Sequence, residues 1–299
     1  MNAAFSSALA IARYHIVLIA ITAQLAFSKI LVGRAQPWVA LVCAVDWFLI
    51  NLMNRITDID EDLRNGIPGT ELVARRKKLL TALAVFLLVG SFVTTHYLWP
   101  RLTPWRVAVQ VVGLGYNYRI VPTPGGLRRF KEIYFLKNFL SAMLFVATCF
   151  AYPLVTAPGA LVMGRGAVLT LILFFVPFEI TYEILYDLRD LEGDRVEGIP
   201  TYPVMHGVPA SLRVIDVLLL VSSGVLVVGF FAGAIGVREA MMVFAPVVQR
   251  VFYPGRVARG LTSRDCVLLT HLGSAQLGLF LIGTRVWTSL GLPWNVFIR

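Results

Sequence analysis

Two short acidic stretches carry most of the chemistry this sequence offers. The first, NLMNRITDIDED over residues 51–62, sets Asn54, Asp58 and Asp62 at four-residue intervals. Oxygen ligands four apart lie on one face of a helix, about 6 Å apart along its axis. The second, YEILYDLRDLEGD over 182–194, supplies Asp187, Asp190 and Asp194, with Gly193 permitting a tight turn at its end. Carboxylates and an amide are hard oxygen donors suited to Mg²⁺, which keeps several waters and shares a substrate's phosphates. Facing one another, the two clusters would hold Mg²⁺ ions that neutralise a diphosphate the acids alone would repel. Taken singly, each stretch reads equally as a polar helix end reaching water. Between them, GYNYRIVPTPGGLRRFKEIYFLKN supplies Arg119, Arg128, Arg129, Lys131 and Lys137, groups that grip phosphate oxygens directly.

The elements that must position these residues are membrane spans. The chain of 299 residues is 58% hydrophobic and 15% charged, with a mean hydropathy of +0.75. An ordinary soluble domain carries about 25% charged residues. Apolar windows of helical length fall at 10–32, 37–54, 79–98, 103–119, 134–154, 165–187, 211–233, 236–253 and 265–288. The expected fold is an all-α membrane protein, a nine-transmembrane-helix bundle in which residues 1–299 form one domain. The first window is too long for the apolar core of a signal peptide and is read as a retained span.

Loop charges set the orientation. Arg55, Arg64, Arg75, Arg76, Lys77, Lys78, Arg128, Arg129 and Lys131 crowd the loops 55–78 and 120–133, which puts the N-terminus and both acidic stretches on the cytoplasmic side. The net charge of +10 then reports cytoplasmic loops and anionic lipid headgroups rather than nucleic acid. Cys43, Cys149 and Cys266 are scattered without paired spacing and read as packing residues, as do His15 and His271.

Both acidic motifs, their order, the basic loop between them and the nine windows resemble the UbiA superfamily of intramembrane prenyltransferases. The resemblance covers nearly the whole chain. It implies Mg²⁺-dependent transfer of a prenyl group from an isoprenyl diphosphate to a small lipophilic, often aromatic, acceptor within the membrane. By this resemblance Asn54, Asp58 and Asp62 match the first family motif and Asp187, Asp190 and Asp194 the second. LRRFKEIYFLKN is similar to the family's basic loop and makes Lys131 the diphosphate contact. The chain departs from the family in reading NR, with Arg55, where many members read ND, and in offering both Tyr116 and Tyr118 for a tyrosine–lysine element.

These readings assign Asp58, Asp62, Asp190 and Asp194 to the metal, and Asn54, Arg55, Arg119, Arg128, Lys131 and Asp187 to substrate. Asp46, Glu183 and Tyr118 are assigned to catalysis. Aromatic faces at Tyr118, Phe130, Tyr182 or Tyr186 would stabilise an allylic cation. Asp46 lies eight residues before Asn54, and Glu179 and Glu183 precede Asp187 at four-residue steps. Ionisable groups inside a span usually face a cavity or a partner, so one of these three is expected to orient the acceptor or take its proton. A terpene cyclase of the same family would use the same ionisation chemistry without an acceptor. A transporter is disfavoured, because its charged sites lie near the midplane rather than beside a basic loop.

Overall fold

The computed structural model describes residues 9–293 and 296. Helix α1 (Tyr14–Val32) ends at Gly33, whose φ of 73° supplies the left-handed cap. Pro37 opens α2 (Pro37–Thr57), where a proline has no hydrogen bond to lose. The short acidic α3 (Ile59–Arg64) leads to α4 (Thr70–Leu98). Next come α5 (Thr103–Asn117) and a two-stranded antiparallel hairpin, β1 (Val121–Thr123) and β2 (Gly126–Arg128). Helix α6 (Leu136–Val146) continues through a π-helical turn (Ala147–Ala151) into α7 (Tyr152–Thr156). Helix α8 (Arg165–Arg189) is followed by the short α9 (Leu191–Glu197) and by α10 (Tyr202–Phe231), which bends at Gly207. The chain closes with α11 (Val237–Ala240), α12 (Phe244–Phe252), α13 (Pro254–Ala258) and α14 (Ser263–Ser289).

Among the described residues, seven helices are long and apolar enough to cross a membrane: α1, α2, α4, the continuous Leu136–Thr156 segment, α8, α10 and α14. The two other predicted windows are helical but shorter. That at 103–119 forms the 15-residue α5, and that at 236–253 is divided among α11, a 3-10 turn and α12. Arg75, Arg76, Lys77 and Lys78, expected in the loop 55–78, lie within α4, which departs from helical geometry at Arg76.

Helices α1, α2, α6 and α8 build the core, with rings of Phe27, Phe150 and Phe175 in contact and Trp47 against Phe145 at 4.1 Å between centroids. Helix α4 buries only 11% of its most apolar window, against 61% for α2. Its exposed Leu79, Phe86 and Val89 form an apolar surface suited to lipid rather than to water. The 3-residue hairpin strands, the acidic α3 and α9, and the segments joining them gather at one end of the bundle.

Candidate active site

Two acidic helices meet at that end. Helices α3 and α9 follow α2 and α8 after single non-helical residues, Asp58 and Asp190, so each acidic motif is split across a bend. They touch where Gly193 passes Asn65: a Cβ on Gly193 would fall 2.1 Å from Asn65 Oδ1. Gly193 therefore serves close approach within a helix, not the tight turn expected of it. Arg64 pairs with Glu197 across the same junction.

Each acidic cluster is centred on a lysine. Lys131 Nζ, 2% exposed, donates to Asp58 Oδ2 and Glu61 Oε2, both at 2.7 Å. Asn54 Nδ2 donates to the same Asp58 oxygen, and Arg129 reaches Asp58 Oδ1 at 3.2 Å. Lys137 Nζ lies 2.8 Å from Asp187 Oδ1 and 3.2 Å from Asp194 Oδ2, while Asn138 donates to Asp187 Oδ2. Asp194 Oδ1 is buried and receives no hydrogen bond from the described residues. Burial pushes the Asp194 carboxyl up to about 6; Lys137 pulls it down, and Asp187 and Asp190 add to the rise. Asp190 pairs with its neighbour Arg189, and Asp62 with Arg55 at 2.5 Å.

Beneath the junction a cavity of about 500 Å³ runs into the bundle. Asn54, Arg13, Arg189 and Arg264 line it together with Glu183 and Glu179 and with the rings of Trp47, Tyr116, Phe145, Tyr182 and Tyr186. Glu183 Oε1 accepts from Ser141 Oγ at 2.7 Å, and Tyr186 OH meets Thr270 Oγ1 at 2.8 Å. The arrangement sets a cluster of oxygen donors and cations over an aromatic pocket, as ionisation of a diphosphate with an apolar tail requires.

Several expected residues stand elsewhere. Asp46 does not line the cavity: eight residues advance a helix by about 800°, leaving Asp46 some 80° from Asn54 and facing α5. There it is fully buried and accepts from Arg106 at 2.6 Å, Gln110 at 2.9 Å and Tyr152 at 2.8 Å. Trp47, one residue on, takes the cavity position instead. Tyr118 follows the end of α5 in extended backbone (φ −120°, ψ 148°) and is 41% exposed, so Tyr116 is the tyrosine that reaches the cavity. Phe130 packs on Gly115 rather than on the cavity. Arg55 is wholly buried and tied to Asp62, Thr70 Oγ1 and the Pro68 carbonyl, a structural clamp rather than a phosphate ligand. Arg128 is exposed on β2, and Arg119 is exposed beside Glu132.

Sequence reasoning passed over Glu61, although its i+3 spacing from Asp58 was the signal that both share a face. Ser141 and Arg264 gave no such signal.

The UbiA prenyltransferase family model matches residues 16–266. The chain belongs to the UbiA prenyltransferase family. Solved structures of a UbiA homologue from Archaeoglobus fulgidus share the fold of this UbiA-family chain. One, bound to DMAPP and Mg²⁺, has a TM-score of 0.68 at 14% identity over 92% of this chain and 97% of that one. Another, bound to GPP and Mg²⁺, has a TM-score of 0.64 at 14% identity over 93% and 98%. A digeranylgeranylglyceryl phosphate synthase from Haloquadratum walsbyi is 34% identical over 82 residues, 26% of this chain and 29% of its own length. The UbiA-family chain thus aligns with under a third of that relative.

Proposed function

We infer that this UbiA-family chain is a membrane prenyltransferase that moves a prenyl group from an isoprenyl diphosphate to a small lipophilic acceptor. One observation carries the reading: both acidic motifs, one centred on buried Lys131 and the other on half-buried Lys137, meet over an aromatic cavity lined by Glu183. The A. fulgidus homologue's binding of DMAPP and GPP with Mg²⁺ supports the donor class and the metal.

The residues fit magnesium by their chemistry: an all-oxygen donor set, one of whose buried carboxylate oxygens, Asp194 Oδ1, has no donor among the described residues. Asp58, Asp62, Asp190 and Asp194 would hold the metal, with Asn54 and Asp187 beside them. Bound magnesium would supply charge neutralisation for the departing diphosphate. Lys131, Lys137 and Arg129 offer hydrogen bonds and positive charge to the phosphate oxygens as the allylic C–O bond breaks and the diphosphate leaves with the electron pair. The rings of Tyr116, Tyr182 and Tyr186 line the cavity and would stabilise the resulting cationic carbon. The acceptor's nucleophilic atom then bonds to that carbon, and its proton passes to Glu183. Burial among apolar side chains keeps out water that would otherwise capture the cation.

The same reading treats the chain as one membrane domain in which α5 and the α11–α12 segment complete nine helical segments. It puts the N-terminus and the site on the cytoplasmic side, in keeping with the basic residues within 55–78 and 120–133.

The deciding experiment measures diphosphate release from dimethylallyl, geranyl and geranylgeranyl diphosphates by purified protein, with and without Mg²⁺ and with an acceptor panel. The expected result is release that needs Mg²⁺ and is lost in both Asp58→Asn and Asp190→Asn. Release without any acceptor, yielding a cyclised hydrocarbon, would make the chain a cyclase; no release from any donor would end the reading.

A further inference from the structure

Glu179 lies on α8 one turn further from the acidic end than Glu183, about 6 Å along the axis. It is 7% exposed and lines the cavity, and no described residue donates a hydrogen bond to it. The other carboxylates nearby are matched: Asp58 by Lys131, Asp62 by Arg55, Asp187 by Lys137 and Glu183 by Ser141. A carboxyl group set into an apolar bundle without a donor is costly and marks the place of a missing partner.

Three of the polar tips around it are engaged elsewhere. Trp47 Nε1 donates to Thr148, Tyr186 OH meets Thr270, and Thr181 Oγ1 accepts from Gln249. Trp47, Phe145 and Tyr182 contribute their rings to the cavity wall, which suits an apolar body. Three guanidinium groups, Arg13, Arg189 and Arg264, line the same cavity and oppose the passage of a cationic ligand. The partner that answers Glu179 is thus a neutral hydrogen-bond donor.

Resting on the prenyl-transfer reading above, we propose that Glu179 is a specificity-determining residue that binds a hydroxyl group of the acceptor, so that the enzyme selects uncharged acceptors with a hydroxyl on an apolar ring body. Glu183, one turn nearer the diphosphate site, then meets the acceptor's reacting atom, while Glu179 fixes its far end. A site built around a carboxyl that needs a donor rejects an analogue lacking the hydroxyl, because binding that analogue leaves the carboxyl dry and unpaired.

The test compares equilibrium binding of 2-naphthol and naphthalene to the full chain in lipid nanodiscs. Wild-type protein is expected to prefer 2-naphthol by about tenfold or more, the scale of a hydrogen bond to a charged or buried acid. Glu179→Leu should bring the two affinities within about twofold, and Glu179→Gln, which keeps an acceptor oxygen, should retain much of the preference. Equal binding of the two probes by wild type, or an undiminished preference in Glu179→Leu, would overturn the proposal. Mg²⁺-dependent binding of geranyl diphosphate, followed in parallel, reports on the donor site separately. Its absence in wild type would refute prenyl transfer while a naphthol preference lost in Glu179→Leu still established the hydroxyl subsite; its persistence in Glu179→Leu shows that variant to be folded.

Discussion

Gly193 and Asn65 are in direct contact, so close that a methyl group on Gly193 would lie 2.1 Å from Asn65 Oδ1. This contact joins α9 to α3 and brings together two acidic motifs distant in the chain. A branched side chain at 193 must push the helices apart, whereas a methyl group requires only that Asn65 turn aside. Gly193→Val is expected to weaken Mg²⁺-dependent binding of geranyl diphosphate by about tenfold or more, since displacements near 1 Å cost that much at a preorganised site. Gly193→Ala should cost less, and Asn65→Ala should restore it. Unchanged affinity in Gly193→Val, measured by equilibrium binding, would detach this contact from diphosphate recognition.

Lys131 is buried between Asp58 and Glu61, and the proposed mechanism gives it the diphosphate. Lys131→Met keeps the stem and removes the charge. It should lower kcat by about 10²-fold, the typical loss when one electrostatic stabiliser of developing charge is removed. Steady-state rates of diphosphate release check this; a variant with full kcat and a lowered melting temperature would make Lys131 only a structural counter-ion.

Asp46 and Arg106 form an ion pair in which both side chains are wholly buried. Removing one partner leaves the other charge uncompensated, at a cost of about 3–5 kcal/mol. Asp46→Asn should therefore unfold at a distinctly lower temperature while each folded molecule keeps its turnover. Replacing both, as Asp46→Leu with Arg106→Met, should regain much of the lost stability. A thermal melt in detergent paired with specific activity distinguishes this from a catalytic role, in which activity would fall with no loss of stability.

The basic loop carries its own pH dependence through Glu132. Partial burial alone would raise this carboxyl, but the hydrogen bonds from the Arg129 side chain and backbone, and the Arg129 charge, outweigh it and lower the pKa below the ordinary 4.5. A carboxyl lowered on folding stabilises the folded loop fully above its ordinary value and loses that contribution as pH falls through the folded value. Hydrogen exchange in residues 118–135 should accelerate as pH falls from about 5 to about 3, beyond the intrinsic pH trend. Glu132→Gln should exchange fast at both ends of this range. Identical pH responses in the two proteins would count against the linkage.

The sequence by itself determined what depends on composition and local spacing. Clustered charge between apolar windows required membrane helices, and seven of the expected nine windows became helices long enough to span. Hard oxygen donors at helical intervals, followed by basic residues, indicated diphosphate chemistry before any contact was known. Spacing also placed Glu179 and Glu183 on one face of α8, because four-residue steps drift by only about 40°.

The tertiary structure decided everything that depends on which face meets which neighbour. Asp46 seemed aligned with Asn54, but the drift accumulated over eight residues turned it to Arg106, a partner 60 positions away that no local pattern announces. Arg55 looked like a phosphate ligand until the loop at Pro68 and Thr70 folded over it. Tyr118 and Tyr116 were equivalent until α5 ended between them. Gly193 read as a turn residue because its contact, Asn65, caps a different helix. Local physics writes the helices and their chemistry into the chain, whereas pairings between distant segments arise only when those helices pack.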